Sequence, residues 1–251
     1  MPTCPLGGKS FPDPPAFRAA FVADWTEAMF VHYRVEPAVL RPFVPASLEI
    51  DLDHDRAFIS LVAFTQRRLR PRIGGRWAAA LSRPLAEHHF LNVRTYVRLG
   101  DEPGICFLAE WIPNRLACLL GPMLYGLPYR LGQLDYRRAA GRFDGCVRAG
   151  PNTLSFAAAV DVPLEPRAAE PGTLDAFLVE RYTAFTVRGN RLYRFRISHA
   201  PWQLANARVQ IHGATLPGDL APPLAQPVVA HYSPGVRDVL ITAPQAVAAH
   251  G

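Results

Sequence analysis

The chain has 251 residues, 49% of them hydrophobic and 19% charged. That is enough apolar mass for a sizeable core and too little charge for a disordered chain. The formal net charge of +6 is carried by 26 arginines and one lysine, Lys9. The arginines are scattered, with the densest run at Arg67–Arg72 (RRLRPR). No helix-turn-helix, RNP or zinc-finger pattern accompanies them, so nucleic acid is not an expected partner.

Cys4, Cys106, Cys118 and Cys146 lie far apart with no CxxC pair, which supports neither a zinc site nor a disulfide framework. No cofactor or metal is expected. The opening MPTCPLGGKSFPDPP has no apolar h-region, and no uncharged stretch has the length and continuity of a membrane span. The expectation is a cytoplasmic protein with no membrane partner.

Residues 1–16, rich in Pro and Gly, read as a flexible arm, and 17–245 as a single domain. Thr26–Val35 carries aromatic and β-branched residues and reads as a strand. Glu36–Pro45 suits a short helical turn opened by Pro37 and closed by Pro42 and Pro45. Ala57–Phe64 (AFISLVAF) is a nearly continuous apolar run, the pattern of a strand buried on both faces. Phe90–Leu99 alternates: Leu91, Val93, Thr95, Val97 and Leu99 share one face, and Phe90, Asn92, Arg94, Tyr96 and Arg98 the other.

A turn at Gly100–Gly104 and a return strand over Ile105–Trp111 complete a hairpin. Asn114 caps an expected helix from Arg115 to about Leu120, which Gly121-Pro122 and Leu127–Tyr129 end or bend. Strands are expected at 133–139, 143–148 and 154–160. A helix at Thr173–Tyr182 follows, with Thr173 as its cap and Asp175 in the first turn. Further strands are expected at 192–198, 207–212, 228–232 and 239–242. Many short strands with few helices argue a mostly β (α+β) barrel or sandwich with peripheral helices.

The polar face of Phe90–Leu99 has two readings. If it lines an interior, Arg94 clamps an anion while Asn92 and Tyr96 orient it; otherwise it faces solvent over an ordinary half-buried strand. Glu87, His88 and His89 are consecutive, so on a strand they alternate sides and do not chelate a metal together.

Several blocks carry a family resemblance. FVHYRVEPAVLRPFVPASLEID (Phe30–Asp51), Glu87, Glu102-Pro103, Glu110 and the closing segment 218–244 resemble acetoacetate decarboxylases. NVRTYVR (Asn92–Arg98), LPY (Leu127–Tyr129), FLVERY (Phe177–Tyr182) and HAPW (His199–Trp202) are similar to the YqjF-like family of uncharacterised bacterial proteins. The resemblance implies a closed, cone-like antiparallel barrel, acetoacetate decarboxylase-like, around a small pocket.

The resemblance also implies a catalytic role for Glu87 and a reactive lysine just after Glu110. A desolvated lysine of that kind attacks a ketone to form an imine. Here the stretch reads WIPNRLACL, with Arg115, Leu116 and Ala117 nearest, and arginine offers no free amine at neutral pH. Ser60 has no GxSxG elbow around it. The ligand-binding candidates are Asn92, Arg94, Tyr96, Glu110, Trp111, Arg115, His199 and Trp202, with Glu87 as the catalytic one.

The expected function is binding of a small carboxylate or carbonyl compound, whether or not catalysis follows, without Schiff-base chemistry. The alternative is a non-catalytic, solidly packed structural domain. Aromatics of Pro122–Tyr129 could then form a homo-oligomer face.

Overall fold

The computed structural model describes residues 18–162, 164–214 and 227–248. The expected arm with Lys9, and the first part of the closing segment, lie outside the described residues. The chain runs β1 (Ala19–Val35), α1 (Pro37–Leu40), β2 (Glu49–Ile50), β3 (Ala57–Pro71), α2 (Gly75–Leu81), β4 (His88–Leu99), β5 (Glu102–Ile112) and α3 (Arg115–Tyr125). It continues through β6 (Tyr129–Leu131), β7 (Gln133–Ala139), β8 (Arg142–Ala149), β9 (Asn152–Val160), β10 (Arg167–Ala168) and α4 (Leu174–Val179). β11 (Thr183–Arg188), β12 (Arg191–Ser198), β13 (Gln203–Ala214), β14 (Val229–Thr242) and β15 (Gln245–Ala246) complete it.

The fold is mostly β. Strands β1, β3, β4, β5, β11, β12 and β14 form a hydrogen-bonded ring, closed where Ile197 and Ser198 of β12 pair with Ile241 and Leu240 of β14. Alternating directions cannot be kept all the way around a ring with an odd number of strands. The misfit falls between β5 and β11, which pair in parallel through Ala184–Ile105 and Phe185–Cys106. The ring is otherwise antiparallel, as expected of the barrel, with this one parallel seam among its pairings. From β14 a second sheet branches off through β13, β9, β8 and β7.

This second sheet explains the burial of β4. Leu91, Val93 and Val97 pack with Phe143, Val147, Leu154 and Phe156 in a core between the two layers. Phe90 and Tyr96 pack with Phe30, Phe58, Val62 and Phe64 in a separate core inside the ring. Every residue from His88 to Val97 except His89 is buried. The choice between an inward and a solvent-facing polar stripe therefore resolves inward, and the Leu/Val face is covered as well, by the second sheet.

Three boundaries differ from the sequence reading. Asn114 caps α3 by accepting a hydrogen bond from the Ala117 N–H (3.0 Å), but the helix passes through Pro122 and ends at Gly126, which has φ +69°. The proline removes one backbone bond, while Ala117 is buried and Leu120 and Tyr125 face the ring interior. α4 stops at Val179, three residues short of the expected end. The two strands expected at the C-terminal end are one strand, β14, whose turn-like Ser233-Pro234-Gly235 stays in register with Ala28 and Thr26 of β1, the bulge falling further on between Val236 and Val239.

No helix among the described residues is long and apolar enough to cross a membrane.

Gly235 has φ +115°, and a Cβ there would sit 2.2 Å from the Trp25 carbonyl oxygen. Gly150 has φ +60° with open space around it. In urea denaturation, Gly235→Ala is expected to destabilise the protein by about 2 kcal/mol or more, from strain and a backbone clash together. Gly150→Ala is expected to cost about 1 kcal/mol, from strain alone.

Candidate functional site

The interior of the ring holds a cavity of about 190 Å3. Its wall is apolar over most of its extent, with Phe30, Phe64, Phe90, Phe195, Trp25 and Trp202 prominent. α3 covers one side with Leu120, Gly121, Leu124 and Tyr125. Gly121 has a specific reason to lack a side chain: a Cβ there would lie 2.3 Å from the ring of Tyr129, which packs across the helix.

Besides Gln66, Arg181 and His199, the polar exceptions come from β4 and β5. His88, Asn92 and Arg94 project inward from β4, and Glu110, cross-strand partner of Asn92, projects from β5. All four are buried, at 8%, 6%, 8% and 4% exposure respectively. Among them, both His88 ring nitrogens, Asn92 Oδ1, Arg94 Nε and Glu110 Oε2 have no hydrogen-bond partner in the protein. A buried polar atom left without any partner costs about 1–3 kcal/mol. Four such side chains on one cavity therefore call for a partner that enters it.

Arg94 donates from Nη2 to the Leu178 carbonyl (2.9 Å) and lies 5.8 Å from the Phe30 ring centre. Among the described residues no carboxylate lies within ion-pair distance of it. Arg181, the cavity's other cation, is committed: it donates to Asp51 Oδ2 (2.8 Å) and to the Phe177 carbonyl (2.8 Å). Burial pushes the Glu110 carboxyl up to about 8, so it is largely protonated at neutral pH. Burial also pulls His88 down to about 4, leaving it neutral.

Beneath Arg94 runs a buried chain of hydroxyls. Tyr96 donates to the Leu178 carbonyl (2.7 Å), Ser60 Oγ lies 2.5 Å from the Tyr96 hydroxyl, and His32 Nδ1 lies 2.6 Å from Ser60 Oγ. A carbonyl only accepts, and each hydroxyl has one proton. The direction is therefore fixed: Ser60 donates to Tyr96, and His32 donates from Nδ1–H to Ser60. His32 is neutral, its pKa held well below the usual value by burial and then by His231 and Arg94.

Of the residues named from sequence, Asn92, Arg94, Glu110, His199 and Trp202 meet at the cavity. His199 donates from Nδ1 to the Ala200 carbonyl (2.7 Å), and burial pulls its pKa to about 4. Trp202 stacks near-parallel on Trp25 and meets Phe30 edge-on.

Four others do not line it. Glu87 is exposed beside Arg67 (3.6 Å), because β4 begins one residue later and the strand period turns His88 inward instead. Trp111 follows Glu110 on β5, so it points the other way, into the core between the sheets. Arg115 is exposed on the first turn of α3. Tyr96 supports the site through the hydroxyl chain without lining it. The resemblance-based role of Glu87 and the ligand-binding roles of Trp111, Arg115 and Tyr96 are corrected accordingly.

The aromatics expected on an outer face, Tyr125 and Tyr129, turn toward the cavity. The most exposed apolar side chains of α3 are Leu119 and Met123 instead, at 60% and 62%.

His88, Tyr129 and Trp25 were missed. The first lay inside the EHH triplet and the second inside the LPY block, while Trp25 carried no local signal. No lysine occurs among the described residues. No cluster of three His, Cys, Asp or Glu side chains able to hold a metal is found among them either.

The chain shares its fold with the acetoacetate decarboxylase of Legionella pneumophila (TM-score 0.67, 14% identity, covering 99% of this chain and 98% of that one). It also resembles the enduracididine biosynthesis enzyme MppR complexed with pyruvate (0.65, 18%, 99% and 96%). A third likeness is to an acetoacetate decarboxylase-like enzyme from Sphingomonas wittichii RW1 (0.63, 16%, 92% and 94%). At such identities the likeness establishes fold alone.

The uncharacterized protein YqjF of Bacillus subtilis (strain 168) is 34% identical over 202 residues, 77% of this chain and 81% of YqjF. A family model described as an uncharacterized conserved protein, DUF2071, matches residues 22–237. Since that match takes in both the ring and the cavity, the chain belongs to the DUF2071 family.

Proposed function

We propose that the cavity binds a small carboxylate or carbonyl compound, held by Arg94 and polarised by Glu110, without covalent capture by an amine. The observation that carries this reading is the convergence of His88, Asn92, Arg94 and Glu110 on one cavity with polar atoms unpartnered. A buried guanidinium with no carboxylate near it is matched by a ligand carboxylate. A neutral Glu110 beside it donates a hydrogen bond, or a proton, to a carbonyl or enolate oxygen. Asn92, the cross-strand partner of Glu110, stands next to that oxygen and orients it. The fold shared with an MppR structure complexed with pyruvate supports a keto-acid-sized occupant.

The reading of a solidly packed structural domain fits the cavity poorly. An association of identical chains is compatible with either function and is supported by the exposed Leu116, Leu119 and Met123 on α3.

The first test is a thermal-shift panel of short carboxylic and keto acids at neutral pH. The wild-type protein is expected to gain several degrees with at least one acid, and Arg94→Met to gain none. Because Arg94 lacks a carboxylate partner and Tyr96 still serves the Leu178 carbonyl, the unliganded variant is expected to be as stable as wild type or more so. A panel with no stabilising acid, or one in which Arg94→Met responds as wild type does, would overturn the proposal.

The second test is the pH dependence of stability. Glu110 is raised to about 8 in the folded state from an ordinary carboxylate value, so the folded form binds the extra proton. Stability is therefore expected to fall as pH rises from about 4.5 through 8, by a few kcal/mol in all. His88 and His199 are lowered to about 4, so stability is also expected to fall as pH drops from 6.5 toward 4. Denaturation across pH 4 to 9 should show a maximum near 6. Glu110→Gln should flatten the alkaline limb and steepen the acid one, since the two opposing effects overlap between pH 4.5 and 6.5.

A further inference from the structure

We infer that the ligand is a monocarboxylate with a ring-sized apolar body and one further oxygen, keto or hydroxyl, close to the carboxylate. This rests on the reading of the cavity as a carboxylate site and narrows it to a chemical class.

The charge count comes first. Of the two cations on the wall, Arg181 is already engaged by Asp51. Arg94, held by the Leu178 carbonyl and feeling Glu180 only beyond ion-pair distance, is left as the one lining arginine without an ion-pair partner among the described residues. A monoanion matches it. A dicarboxylate or phosphate would carry a second negative charge into a wall with no cation left, and an unpaired buried charge costs several kcal/mol. Glu110, once ionised, would add repulsion to that cost.

The position of the second oxygen follows from strand geometry. Glu110 is the cross-strand partner of Asn92, and Arg94 lies two residues along β4 from Asn92. Two residues of strand span about 6.6 Å. A carboxylate at Arg94 therefore places atoms two or three bonds away within reach of Asn92 and Glu110, while His88, six residues along β4, lies about 20 Å from Arg94 and faces the ligand's far end. Glu110 donates and Asn92 can donate or accept, so a keto or hydroxyl oxygen is served equally well.

The remainder of the wall decides the body. Phe64 and Phe90 stack at 5.0 Å and 6°, and Phe30 and Trp202 meet edge to face at 5.1 Å and 79°. The faces of these rings offer no hydrogen bond, and Trp25 Nε1, which has no partner in the protein, adds a single donor and no charge to this part of the wall. The cavity of about 190 Å3 exceeds the roughly 150 Å3 that accommodates benzene in an apolar protein interior. A ring with a short acid arm fills it; a three- or four-carbon acid leaves most of the aromatic wall untouched.

The experiment is calorimetric titration of the full chain with phenylpyruvate, pyruvate and phenylmalonate at pH 7. Phenylpyruvate is expected to bind at least tenfold more tightly than pyruvate, which lacks the ring. It is also expected to bind at least tenfold more tightly than phenylmalonate, which has the ring but two carboxylates. Ala117→Leu, which takes up cavity volume from the α3 side, is expected to weaken the larger phenylpyruvate more than pyruvate; the wild-type comparison stands even if that variant does not fold. Pyruvate binding as tightly as phenylpyruvate, or phenylmalonate matching it, would overturn the inference while leaving the carboxylate site intact. Failure of all three acids, together with every acid of the thermal-shift panel, would remove both.

Discussion

A strand can turn a polar stripe toward a closed interior only if its other face finds apolar cover. In this protein that cover is the second sheet, β7–β8–β9–β13, packed over Leu91, Val93 and Val97. With one face of β4 anchored in this way, the opposite face can carry His88, Asn92 and Arg94 into the ring. Those groups would be a heavy burden in an ordinary core, since burying unpaired polar side chains opposes folding. Here the apolar contacts on the far side of the same strand offset that burden and hold the side chains in fixed positions.

The same division runs through the neighbouring strands. On β1, Met29, Val31 and Tyr33 belong to the core between the layers, while Ala28 and Phe30 belong to the ring interior. On β5, Trp111 faces the second sheet and Glu110 faces the cavity. Alternation along each strand thus assigns one residue to stability and the next to the site. A stretch without lysine after Glu110 is therefore compatible with the fold, because packing between the layers is carried by different residues.

The sequence made much of this legible. The strand pattern from Ala57 to Trp111, the Asn114 and Thr173 caps and the polar stripe on Phe90–Leu99 could all be read from local periodicity and capping chemistry. What could not be read was what lies over each face. Alternation separates two sides of a strand but does not say whether a second sheet or water covers either one. Glu87 was misplaced because a shift of one residue at a strand start exchanges inside for outside. Pro122 was read as a stop because a proline disfavours a helix interior, yet tertiary packing of α3 over the cavity outweighs one lost backbone bond. Trp25 joins the wall through a pairing of β1 with β14 that spans nearly the whole chain, and no local pattern reports it.

That pairing has a consequence for how the molecule is made. β1 is flanked by β3 on one side and by β14, the last long strand, on the other. A nascent chain halted before residue 229 would present β1 with an unpaired edge and leave the ring open beside Phe30 and Trp25. The ring is therefore sealed only when the C-terminal strand emerges and docks. Its contacts join residues more than two hundred positions apart, which makes for slow, late folding. C-terminal truncations should behave as aggregating fragments rather than smaller working proteins.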